Sequence, residues 1–181
     1  MEIDFTLDEK EQEVRLMRMG FEQPQAARRS ILRLGLVDSD EKTRKLLHYL
    51  LLSISEVSEP DRILINLARF IEVYPEREAL FDQLAQNPRS VDILVKLFAG
   101  SQYLGEILLR HPQSFARLLG GTRLAAKKTP EQYTQEICDA LKGENTFDAC
   151  LDIVRRYQRF ELLRIGTCDL LDYFDLANAT R

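Results

Sequence analysis

The stretch from Phe147 to Phe174 constrains this chain most, because it reads as one long helix with two unlike halves. At about 100° per residue, Phe147, Cys150, Leu151, Val154 and Tyr157 share one face, and Asp152, Arg155, Arg156 and Arg159 share the opposite one. That half is an ordinary amphipathic helix. Beyond Phe160, Leu162, Leu163, Ile165, Cys168, Leu170 and Leu171 are spread around the wheel, while Glu161 and Arg164 fall inside or beside the apolar sector. A helix apolar nearly all round needs other helices about it, so this half is expected to be buried. Charges in such a place must be paired to be tolerated.

The rest of the chain is punctuated by proline and glycine into helix-length pieces, with no sustained apolar/polar alternation of the kind a half-buried strand shows. The expected fold class is all-α: a multi-helix bundle or a short stack of helix pairs, ending in the long C-terminal helix. Pro24 suits a first helical turn, and Gly35 ends the helix it opens. Asp38-Ser39-Asp40 supplies cap candidates for a helix over Glu41 to Ser55, and Glu59-Pro60-Asp61 starts another that Pro75 closes. Shorter helices are expected at about Glu76 to Gln86, Arg89 to Phe98, Gln102 to Arg110 and Gln113 to Leu119, before Gly120-Gly121. Thr129-Pro130-Glu131-Gln132 reads as a cap with proline at the first helical position. A shift of 24 residues sets Ile71, Val73, Tyr74, Leu80, Leu84 and Pro88 against Val95, Leu97, Phe98, Leu104, Leu108 and Pro112. Both copies read helix, turn, helix, proline, a unit that cannot bury its apolar face alone.

With 181 residues, 45% apolar and 30% charged, the chain can bury a full core in one domain or two small ones. A net charge of −4 gives no general attraction to nucleic acid, and Arg28-Arg29 with Arg33, Arg155-Arg156 with Arg159, and Lys127-Lys128 read as solvated helix faces. Cys138, Cys150 and Cys168 stand at no metal-ligand spacing and read as reduced, mostly buried thiols. The N-terminus lacks a secretory pattern, and the longest apolar run, Leu46 to Ile54, is far short of the ~20 residues a membrane helix needs. The expectation is a cytoplasmic protein that binds neither membrane nor nucleic acid.

Candidate chemistry is sparse. His48 and His111 lie far apart without partners at catalytic spacing; His48 reads as a core or boundary residue, and His111 before Pro112 as a helix stop. Asp169, Asp172 and Asp175 recur every three residues and read as a solvated edge rather than a cation site. Gly100-Ser101 lacks the downstream pair of acids that a two-metal phosphoryl-transfer site requires, so Gly100 reads as a helix end and Ser101 as the next cap. Nothing gathers acid, base, nucleophile or metal ligands into a self-contained enzyme site.

The segment Leu97-Phe98-Ala99-Gly100-Ser101-Gln102-Tyr103-Leu104 through Leu108-Leu109-Arg110-His111-Pro112 is followed about forty residues later by Arg155-Arg156-Tyr157-Gln158-Arg159 and Leu162-Leu163-Arg164-Ile165-Gly166. Together these resemble the helical segment that precedes a nucleotidyltransferase domain in glutamine synthetase adenylyltransferases. The resemblance covers residues 91–181 and leaves 1–90 as an N-terminal helical region without a match. It implies a noncatalytic N-terminal piece of an enzyme with two nucleotidyltransferase domains. One attaches adenylyl groups from ATP to a tyrosine of glutamine synthetase, and the other removes them by phosphorolysis, under control of PII-type proteins. The implied partners are the downstream nucleotidyltransferase domain, glutamine synthetase and a PII-type regulator. ATP and Mg are implied for the full-length enzyme and no cofactor for this segment.

No catalytic, cofactor or metal residue transfers, because the family's phosphate-binding and metal-binding positions have no counterpart here. The residues singled out for a structural or docking role are Arg155, Arg159, Glu161, Arg164 and His111. Arg164 and Arg159 are expected to order the long helix against the His111-Pro112 turn or the catalytic domain that would follow; the alternative is that Glu161 and Arg164 pair with each other. The competing reading of the whole is a freestanding helical-repeat module that binds other proteins. Against it stands the apolar end Leu170, Leu171, Tyr173, Phe174 and Leu176, which suits continuation into more protein.

Overall fold

The computed structural model describes residues 8–37, 40–120 and 124–173. Among them are ten helices and no strand: α1 (Glu9–Arg18), α2 (Pro24–Leu34), α3 (Glu41–Ser55), α4 (Pro60–Val73), α5 (Arg77–Gln86), α6 (Pro88–Gly100), α7 (Gln102–Arg110), α8 (Ser114–Gly120), α9 (Pro130–Leu141) and α10 (Phe147–Leu170). The chain is all-α and ends in a long helix, as expected. It divides into two compact units, 1–113 and 114–181, whereas the family resemblance begins at residue 91.

The helix starts follow the local chemistry read in the sequence. Asp40 accepts a hydrogen bond from the Thr43 amide at 2.9 Å, Ser101 accepts from Leu104 at 3.3 Å, and Thr129 forms a complete capping box with Gln132. Asp38 and Ser39, also offered as caps, lie outside the described residues. Pro24, Pro60, Pro88 and Pro130 sit in first turns, where the missing N–H would have no helical partner anyway. Gly35 (φ 70°) closes α2 in the left-handed region, where a side chain would be strained.

The first unit is held by apolar burial. Leu16, Ile31, Leu34, Leu50, Ile54, Leu64, Phe70, Val91, Leu94, Leu97 and Leu108 are all fully buried. Phe70 meets Tyr74 at 5.4 Å and Phe98 at 6.1 Å between ring centroids, both edge to face. Tyr74 and Phe98 are equivalent positions in the 24-residue repeat, so the two helix pairs, α4–α5 and α6–α7, converge on one ring. Four of the repeat's six equivalences, all but Val73/Leu97 and Pro88/Pro112, place both members in the buried class; Val73 is the apolar exception, half exposed while its counterpart Leu97 is fully buried. Gly105 lets α7 approach α6: a Cβ there would stand 3.1 Å from Phe98 Cδ1, tighter than ordinary contact.

Polar side chains finish the helix ends across this unit. Asp61 at the start of α4 accepts from the Glu22 and Gln23 amides, capping α2, which has no cap of its own. Arg62 donates to the carbonyls of Phe98 and Ala99 at 3.0 and 3.3 Å, and Arg77 to that of Leu34 at 3.1 Å. Each satisfies carbonyls that a helix C-terminus leaves open. Arg28, expected on a solvated face, bonds Gln12 at 2.9 Å and pairs with Glu9 at 2.8 Å.

In the second unit, α10 ends at Leu170, four residues before the expected Phe174, which lies outside the described residues. Asp172 turns left-handed (φ 54°), its amide donates to Asp169 O at 3.0 Å, and the Tyr173 amide donates to Cys168 O at 2.9 Å. This pair of bonds is a Schellman ending with aspartate in the place glycine usually takes, a termination that composition alone does not announce.

Candidate functional site

The expectation that the C-terminal half of α10 is buried on all sides requires correction. Leu163, Thr167 and Cys168 are buried, but Leu162 and Ile165 are about two-fifths exposed, and with Gln158 and Asp169 they make an open stripe. Neighbouring structure therefore covers one side of this half, and the charged pair lies on that covered side. In the other half, Phe147 is 79% exposed, and the residues from 130 to 156 include no fully buried side chain.

Residues 124–129 form a strap leading into α9, and its backbone carbonyls need donors because no helix supplies them. Arg164 provides these. Its guanidinium donates to Leu124 O at 2.9 Å and Ala126 O at 3.1 Å, to Tyr133 Oη at 3.3 Å, and through Nε to Glu161 Oε2 at 2.8 Å. A planar fork with five donors suits such a convergence, whereas a lysine could not span it. Cys168, one turn further along α10, donates from Sγ to the same Leu124 carbonyl at 3.1 Å.

Lys128, at the end of the strap, joins the second carboxylate. Its ammonium lies 2.7 Å from Glu161 Oε1 and 2.6 Å from Glu136 Oε2, and the Tyr157 hydroxyl donates to Glu136 at 2.8 Å. Two cations and two carboxylates thus alternate, with Glu161 bridging Lys128 and Arg164. The side chains of Glu161 and Arg164 are 7% and 8% exposed, so the pairing satisfies the condition their position in the sequence imposed. Of the alternatives set out for Arg164, the pairing with Glu161 is present; the backbone it orders is the strap and not the His111-Pro112 turn that the sequence suggested.

The electrostatics describe a clamp rather than a proton-transfer site. Burial works against the Lys128 charge, but the bonds to Glu136 and Glu161 outweigh it and raise its pKa. For Glu136, burial is likewise outweighed by the bonds from Lys128 and Tyr157, and its carboxyl sits below its ordinary value. Burial, reinforced by the Glu136 bond, pushes the Tyr157 phenol far up, and burial raises the Cys168 thiol. Both remain protonated near neutrality, so neither is a ready nucleophile or base.

Glu161 and Arg164 are the sequence candidates that the structure brings together. Arg155 lies outside the clamp on the exposed face of α10, 3.5 Å from Asp152. Arg159 is a half-buried residue of α10, and His111 belongs to the first unit, as the C-cap of α7 with its amide on Ile107 O. Sequence reasoning missed Lys128, Glu136, Tyr157 and Tyr133; Lys128, taken for part of a solvated helix face, is a strap residue whose side chain is 19% exposed. The available signal was the unpaired charge on a buried helix face, which calls for partners without naming them. The thiols also differ from expectation: only Cys168 is buried, while Cys138 is exposed. Asp169 is exposed, Asp172 occupies the helix terminus, and Asp175 lies outside the described residues.

Among the described residues, no three His, Cys, Asp or Glu side chains gather as a metal site would require, and the two close carboxylates are already neutralised by Lys128 and Arg164. This donor set does not fit a catalytic Mg. No helix of the described residues is long and apolar enough to cross a membrane.

The family profile described as glutamate-ammonia ligase adenylyltransferase matches residues 91–181, which take in most of α6, α7 and the whole second unit. A bifunctional glutamine synthetase adenylyltransferase/adenylyl-removing enzyme of Thioalkalivibrio sulfidiphilus is 26% identical over 138 residues, 75% of this chain and 14% of the relative. The protein of the same name from Chromobacterium violaceum is 25% identical over 179 residues, 93% of this chain and 20% of the relative. Its namesake in Brucella melitensis is 28% identical over 130 residues, 71% and 13% of the respective lengths. The chain thus spans between about an eighth and a fifth of these curated relatives. No solved structure matches it.

Proposed function

Because this chain belongs to the glutamate-ammonia ligase adenylyltransferase family, the match covering half its length, we propose that it is a noncatalytic helical element of an enzyme of that kind. In this reading the enzyme adds AMP to glutamine synthetase and removes it, in the cytoplasm, using ATP and Mg held by nucleotidyltransferase domains outside these residues. The helical element presents a preformed surface to the nucleotidyltransferase domain of the same polypeptide, and glutamine synthetase and a PII-type regulator are further partners. The observation that carries the proposal is the clamp. Arg164, Glu161 and Lys128 immobilise the strap on α10 with hydrogen bonds of 2.7 to 3.1 Å, which is the work of a scaffold and leaves no group free for chemistry.

Two measurements test it. An immunoblot of the native cell, raised against this segment, is expected to detect a polypeptide several times larger than this chain. The chain alone, incubated with glutamine synthetase, ATP and Mg, is expected to transfer no AMP. A native product of this size would favour a freestanding interaction module, and AMP transfer by the chain alone would overturn the noncatalytic reading.

A further inference from the structure

Beside the clamp the second unit opens into a cleft of about 620 Å³, within the size range of small-molecule sites. Its acids are already committed. Glu136 is bonded by Lys128 and Tyr157, and Asp139 accepts from Lys142 at 2.5 Å and from Gln135 at 3.0 Å. Of its three cations Lys128 is committed as well, to Glu136 and Glu161, but Arg117 and Arg156 are not. Arg156 meets only the Asp152 backbone carbonyl through Nε at 3.4 Å, so the terminal nitrogens of its guanidinium have no partner among the described residues. Arg117 has neither a hydrogen bond nor an ion pair among the described residues; its guanidinium lies 3.7 Å from the centroid of the Phe160 ring. That stacking orients the fork while leaving its N–H groups available, because cation–π contact uses the face of the guanidinium and hydrogen bonding its edge.

We propose that this cleft binds a small organic oxyanion, a molecule with a phosphate or carboxylate group held by Arg117 and Arg156. Guanidinium forks match both groups in bidentate geometry, and Ile153 and Ala140 in the cleft wall offer apolar surface to the ligand's carbon body. A second cleft supplies the contrast. In the first unit a cavity of about 640 Å³ also displays two cations, but Lys42 is paired with Asp82 at 2.5 Å and Lys45 with Glu41 at 2.7 Å. That cleft is internally paired, whereas in the cleft of the second unit neither Arg117 nor Arg156 forms an ion pair with a carboxylate among the described residues, Arg117 acting on Glu136 only at longer range.

The test is calorimetric titration of the full chain with inorganic phosphate and, separately, with malonate, at fixed ionic strength. Saturable binding of at least one is expected, and the tighter of the two identifies the headgroup. R117Q/R156Q is expected to weaken it by about tenfold or more, the loss of two charge-assisted contacts. R156Q alone keeps Arg117 on Phe160, so it separates loss of the site from loss of packing; it too is expected to weaken binding while the helical circular dichroism is unchanged. No saturable binding of either anion, or equal binding by both variants and the parent, would overturn the proposal.

Discussion

Both compact units bury apolar side chains, Phe115, Leu118 and Leu163 among them in the second, but they differ in how their helices are attached. The first places a dozen aliphatic and aromatic side chains wholly out of water and uses polar residues mainly to finish helix ends. In the second, α9 has no buried residue at all and is attached to α10 through Lys128, Glu136, Tyr133 and Tyr157. Apolar burial is non-directional and tolerates small shifts; a hydrogen-bonded clamp fixes one geometry but depends on every member being present. One unit resists by bulk, the other by arrangement.

The sharpest way to break this contrast is to remove one component from each side. Phe98→Ala, which empties a fully packed site against Phe70, is expected to cost about 4 kcal/mol, with hydrogen exchange accelerated across α4, α6 and α7. If exchange accelerates instead mainly in α9 and α10, the division of labour is wrong. Arg164→Ala is expected to cost about 3 kcal/mol, because it removes one of the two cations that neutralise buried Glu161, leaves the Ala126 carbonyl without its donor and leaves the Leu124 carbonyl with Cys168 alone. The effect should be concentrated in the strap and α9, and an unchanged melting temperature would remove the clamp as a stabilising device. Arg155→Ala, on the same helix but exposed, is the control and is expected to change stability by less than about 0.5 kcal/mol.

Acid sharpens the comparison further, with the smallest expected effect. Glu136 has its folded pKa below the ordinary 4.5, so the stability it contributes is fully present above that value and is lost as pH falls through the lower folded value. Hydrogen exchange followed from pH 6 down to pH 3 is therefore expected to show α9 loosening before the core of the first unit. Simultaneous loosening of both units would mean that the clamp is no more acid-sensitive than the core.

Much of the fold was legible because helix ends are local. Asp40, Ser101 and Thr129 announce their helices within three residues, and Pro24, Pro60 and Pro130 mark first turns; Pro88, read as the end of a repeat unit, opens α6. The cap of α2 was not legible, since Asp61 arrives from 38 and 39 residues away. The same limit governs the site. A carboxylate and a guanidinium on a buried helix face could be recognised from periodicity, and the Glu161–Arg164 pair could be anticipated because i,i+3 residues are neighbours on a helix. Lys128 could not, because a residue in an irregular strap has no periodic signature, and its two partners lie 8 and 33 residues along the chain. Leu162 and Ile165 misled in the opposite sense. Leucine and isoleucine report an apolar preference, yet an exposed one violates no physical requirement, whereas an unpaired buried charge does.

The strap's attachment to α10 also sets an order of events during synthesis. Leu124, Ala126, Lys128 and Tyr133 leave the ribosome well before Arg164, which lies 40 residues after Leu124 and 31 after Tyr133. In that interval α9 has its capping box and the Lys128–Glu136 pair but not yet Arg164, and a short isolated helix is marginal in water. Tying the strap to α10 through Arg164 then requires closure of a loop of that length, so it follows the local contacts. A polypeptide cut short before Arg164 keeps the bonds of Glu136 to Lys128 and Tyr157 but lacks the guanidinium that ties the Leu124 and Ala126 carbonyls to α10.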